Sequence, residues 1–137
     1  EKPSKEEKSK SDEFLKYYSN LLGDKVITVI ESDRLTESPA CLVNPDSQMS
    51  SHIQKILQMM NKDFKSAKKI LQINLKNEFV KGLVKLHAND KDSKLLEKLC
   101  LQLYDNTLIL DGSGADPIDM TARILEIMKT ALDANLG

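Results

Sequence analysis

Tryptophan is absent from this chain of 137 residues, and cysteine and histidine occur twice each. Cys41 and Cys100 are too few and too far apart for a disulfide framework or a Cys-x-x-Cys motif. Reduced thiols are the expected state; a disulfide would need neighbouring Cα atoms, which spacing does not show. His52 and His87 have no second His or Cys at ligand spacing, so no zinc site is expected. Charge of one sign is also lacking, with 20 Lys and Arg against 21 Asp and Glu. That balance leaves no electrostatic footprint for nucleic acid or an anionic membrane. No apolar run is long enough to span a bilayer, and no signal-peptide core is present.

Catalytic signatures are missing as well. Gly112-Ser113-Gly114 is too short for a dinucleotide fingerprint, follows a helical pattern and lacks a Walker Lys-Ser or Lys-Thr. It reads as a turn between helices. No Gly-x-Ser-x-Gly surrounds any serine. The expectation is a chain with no catalytic, cofactor-binding or metal residues of its own, whose function lies in association.

What is present is amphipathic pattern. Glu1 to Lys10 is charged, without apolar repeat, and reads as a disordered linker ahead of a domain over 11–137. Ser11 is a candidate N-cap for a helix bearing Phe14, Leu15, Tyr18, Leu21 and Leu22, stopped by Gly23. Lys25 to Glu31 is β-branched and reads as a strand; Ala40 to Val43 and Ile70 to Ile73 read as two more. Asp46 or Ser47 can cap a helix with Met49, Ile53, Ile56, Leu57, Met59 and Met60. Asn74 can cap the next, with Phe79, Val80, Leu83, Val84 and Leu86.

Two further helices follow. One carries Leu95, Leu96, Leu99, Cys100, Leu103 and Leu110. The other starts at Asp116-Pro117, a favoured cap before a first-turn proline, and carries Met120, Ile124, Ile127, Met128 and Leu132. The expected fold class is α+β: a small three-stranded sheet covered by helices, with a C-terminal helical hairpin. Such a hairpin is half of a four-helix bundle, and a second copy is the simplest source of the other half. The predicted seam is Leu95, Leu96, Leu99, Leu103, Ile124, Ile127 and Met128. Closure within one chain is the alternative. The Ser47 to Asn61 stripe can likewise be a core helix or an adaptable Met-rich contact surface.

Three segments, in order, carry a family resemblance. Arg34-Leu35, Pro39-Ala40 and Cys41-Leu42-Val43 form the first. Leu71-Gln72-Ile73-Asn74 is the second. Leu103-Tyr104-Asp105-Asn106-Thr107-Leu108-Ile109, with Gly112 and Asp116-Pro117, is the third. Together they resemble the C-terminal dimerisation domain of heat shock protein 90 chaperones, over about Ser11 to Leu132. Leu75, Asn77-Glu78 and Thr107 depart from the family pattern.

The resemblance implies a homodimerisation and client-contact domain of an ATP-dependent molecular chaperone in the cytoplasm. ATP and Mg would bind upstream domains of the parent, and this fragment would not be an enzyme. The partners would be a second copy and unfolded or partly folded clients, with client contact through Met49, Ile53, Ile56, Leu57 and Met60. The chain begins with Glu and ends without an acidic Glu-Glu-Val-Asp tail or a Lys-Asp-Glu-Leu signal, which suggests a fragment of the bacterial type. The rival expectation is an unrelated small α+β enzyme domain with an unrecognised active site.

Overall fold

A computed structural model describes residues 5–32, 37–44 and 69–136. Among these, four helices and three strands follow in the order α1 (Lys5–Leu22), β1 (Val29–Glu31), β2 (Ala40–Val43), β3 (Ile70–Ile73), α2 (Glu78–Asn89), α3 (Lys94–Asp111) and α4 (Pro117–Leu136). The fold is α+β, with a small mixed sheet. β3 lies in the middle, parallel to β1 and antiparallel to β2.

Register sets the faces. Val29, Leu71 and Leu42 align across the strands, and Ala40 pairs with Ile73. Because side chains alternate along a strand, these share one face. That face meets Phe14, Tyr18 and Leu22 of α1, Val80 and Leu83 of α2, and Leu96, Cys100 and Leu103 of α3 in one core. Burial of this apolar surface, at roughly 25 cal/mol per Å², is the main stabilising term. Ile27, Ile70, Ile30 and Val43 form a smaller separate cluster.

α1 begins at Lys5, ahead of the Ser11 cap that the apolar pattern suggested. Residues 5–10 are exposed, so burial does not hold them helical. They are good helix formers, and Lys10 pairs with Glu6 one turn away at 3.5 Å. The expected linker is therefore helical from Lys5 onward. Gly23 does end the helix, with φ +55° opening a short 3-10 turn to Lys25. That turn removes Lys25 from the predicted strand. Val26 and Ile27 are buried in bends, and the ladder starts only at Val29.

The cap of α2 is Asn77, not Asn74. Asn77 Oδ1 accepts from Phe79 N at 2.9 Å and Val80 N at 3.2 Å. Asn74 lies three residues too early and is 2% exposed. Its Oδ1 accepts from Lys76 N at 3.0 Å, and its Nδ2 donates to the Ser38 carbonyl at 3.2 Å. Asn77 Nδ2 likewise donates to the Glu37 carbonyl at 3.0 Å. The two amides fasten the 37–39 segment to the end of β3. Asn74→Ala should lower stability by about 1 kcal/mol, because two part-buried hydrogen bonds, from the Lys76 N–H and to the Ser38 carbonyl, are lost. A drop in the urea midpoint at unchanged slope is the expected reading.

The helix expected over Ser47 to Asn61 lies outside the described residues. So do Arg34-Leu35, His52, and the candidate contact residues Met49, Ile53, Ile56, Leu57 and Met60.

Candidate association surface

The hairpin of α3 and α4 is built by local chemistry. Ser93 Oγ accepts from Leu96 N at 3.1 Å and starts α3. Gly112, at φ 86°, ends it in the left-handed conformation that costs glycine least. Ser113 N then donates to the Leu108 carbonyl at 2.9 Å. Asp116 Oδ1 accepts from Ile118 N at 3.0 Å, with Pro117 in the first turn of α4.

Polar groups then clamp the two helices. Arg123 Nη1 donates to Asp105 Oδ2 at 2.6 Å and Gln102 Oε1 at 3.2 Å. Gln102 Nε2 donates to Asn106 Oδ1 at 2.8 Å. Lys98 and Glu126 pair nearer solvent at 2.6 Å, which holds the Glu126 carboxyl below its ordinary pKa. At the far end Lys69 meets Asp111 at 2.6 Å. Hydrogen bonds from Lys69 and then Ser113 keep the Asp111 carboxyl below its usual range.

None of the twenty residues of α4 is buried. Met120, Arg123, Ile124 and Ile127 are half-buried, and α4 packs on α3. A second stripe has no cover from the described residues of the protomer. Ile118, Leu125, Met128, Leu132 and Leu136 are 79, 66, 59, 58 and 73% exposed. Ile118, Leu125 and Leu132 recur every seven residues, the spacing of a helix–helix seam. Beside the stripe runs a shallow groove of about 210 Å³, lined by Phe79, Leu99, Leu103, Ile124, Ile127 and Met128, with Gln102 and Asn106. Pockets for drug-sized ligands span roughly 300–1,000 Å³, so the groove suits inserted side chains better.

Five of the seven predicted seam residues thus meet in one groove: Leu99, Leu103, Ile124, Ile127 and Met128. Leu95 is half-buried on α3 and does not line it. Leu96 is wholly enclosed in the protomer core and offers a partner no area. Leu125, Ile118, Leu136 and Phe79 were not in the predicted seam. The seven-residue recurrence could have found Leu125 and Ile118, but a 3.6-residue stripe selects the side of α4 that meets α3.

Reactive chemistry has little support among the described residues. Both cysteines are free. Burial pushes the Cys100 thiol up to about 12, and burial, then Asp111, raises Cys41. Neither is a thiolate nucleophile near neutral pH. No group of three or more His, Cys, Asp or Glu is placed to hold a metal among the described residues. No described helix is long and apolar enough to cross a membrane.

The Hsp90 protein family profile matches residues 1–136. "Chaperone protein HtpG" of Oleidesulfovibrio alaskensis is 37% identical over 118 residues, covering 86% of this chain and 19% of that protein. The protein of the same name from Geobacter metallireducens is 33% identical over 136 residues, covering 93% of this chain and 21% of its own length. This chain therefore spans about a fifth of those relatives. With a family profile matching nearly its whole length, the chain belongs to the Hsp90 protein family.

Proposed function

We propose that this chain is the C-terminal homodimerisation domain of a cytoplasmic, bacterial-type Hsp90 chaperone. The observation that carries this reading is α4: twenty residues, none buried, with an exposed apolar stripe at seven-residue spacing. A second copy supplies the same stripe, and two hairpins complete a four-helix bundle about a twofold axis. The tether raises the effective concentration of the rest of each parent chain for the other, so those parts close and reopen without dissociation. ATP and Mg bind elsewhere in the parent on this reading, and this chain catalyses nothing itself. The name shared by the bacterial relatives supports a chaperone, and the family assignment favours this reading over an unrelated enzyme domain.

Light scattering tests the dimer. The expected mass is twice the 15.4 kDa of one chain, unchanged on dilution to low micromolar concentration. A mass of one chain throughout overturns the proposal.

Client contact belongs to the same proposal, through Met49, Ile53, Ile56, Leu57 and Met60. Its support is the methionine content of that stripe, since unbranched thioether side chains adapt to varied partners. Ile53→Ser with Leu57→Ser in the longer parent should weaken holding of an unfolded client and leave the dimer mass unchanged. Full client holding by that variant removes this part of the proposal.

A further inference from the structure

We infer that the seam between α1 and α2 is an acid-sensitive latch, opened by protonation of His87. His87 sits in the last turn of α2 and is 5% exposed. Its ring lies 4.8 Å from that of Tyr17 and 6.1 Å from that of Phe14, both on α1. Its Nδ1 is buried and has no hydrogen-bond partner among the described residues. A neutral imidazole tolerates this position, with its proton on Nε2 and only a lone pair left without a partner at Nδ1. An imidazolium carries a second N–H that must donate, together with a full charge in an apolar seam.

The groups around the seam leave the neutral form favoured. Glu13 on α1 favours the cation, while Lys91, just beyond α2, opposes it. Tyr17 offers no anion, because burial first, then Cys100 and Glu97 of α3, pushes its hydroxyl up to about 12. The end of a helix also favours a cation, yet burial prevails and His87 titrates below its ordinary value. The latch is therefore fully closed above about pH 6.5, the unfolded histidine value, and loses stability as pH falls from there through the lower folded value. Its release exposes Phe14, Tyr18 and Leu22, which are buried against the sheet and α3 when it is closed.

Hydrogen exchange on the whole chain between about pH 7.5 and about pH 5, corrected for intrinsic rates, reads the latch. Amides of Phe14 to Leu22 should lose protection on acidification before those of Cys100 to Thr107. His87→Phe keeps a flat ring in the seam and should abolish that selective loss. The same selective loss in the Phe variant, or uniform loss across both helices in the wild type, overturns the inference. Titration of the wild-type imidazole by NMR needs no variant. A His87 value at or above the ordinary one is equally fatal.

Discussion

A chain carrying Leu125→Asp and Leu132→Asp is expected to sediment as a monomer and to keep the helix content of the wild type. Both side chains are more than half exposed and contribute nothing to the protomer core. Surface changes of this kind usually alter folding stability by no more than about 0.5 kcal/mol. At a twofold seam each substitution appears on both copies, so the seam takes up four carboxylates, and the one neighbouring cation of α4, Lys129, already pairs with Asp133 at 2.8 Å. An unpaired buried charge costs several kcal/mol, and like charges facing one another add to that. Sedimentation velocity with circular dichroism separates the two effects. A double variant that stays dimeric at micromolar concentration shows that the stripe is not the seam.

The opposite response is expected of Leu96→Ala. Leu96 has no exposed surface and packs within the core shared by α1, α2, α3 and the sheet. Truncating it removes transfer free energy and leaves a cavity, together costing about 2–5 kcal/mol. Total stability of a domain is about 5–15 kcal/mol, so this is a large share. The measurement belongs in the Leu125→Asp, Leu132→Asp background, where dissociation does not enter the unfolding equilibrium. A loss below about 1 kcal/mol there would mean that Leu96 is not the core residue its burial indicates. The two results together distinguish an apolar residue that folds the protomer from one that joins two of them.

Local chemistry made much of this fold legible. The limits of the hairpin follow from Gly112 and from Asp116-Pro117, because a left-handed residue and a capped proline act within one turn. β2 and β3 occupy the residues that the short apolar runs indicated. Asn74 was harder to read. Asn74 and Asn77 offer the same side chain within one turn, and only the direction of the chain leaving β3 assigns Asn77 to the cap and Asn74 to the 37–39 segment.

The sequence by itself determined an α+β class, three short strands, a helical hairpin with defined ends, and an apolar surplus on its two last helices. It could not determine which of those apolar residues face inward. α3 carries leucine or another apolar side chain around much of its circumference, so a period of 3.6 residues does not choose between core and seam. Packing against the sheet turned Leu96 and Cys100 wholly inward, left half-buried Leu99 on the groove, and placed Leu103 between the core and the groove. The Arg123 clamp on Asp105 and Gln102 then fixed the face that α4 presents to α3, and left Leu125 and Leu132 outward. Capping and propensity act over a few residues. The choice of face depends on side chains far apart in the chain, and that is why it was decided only by tertiary structure.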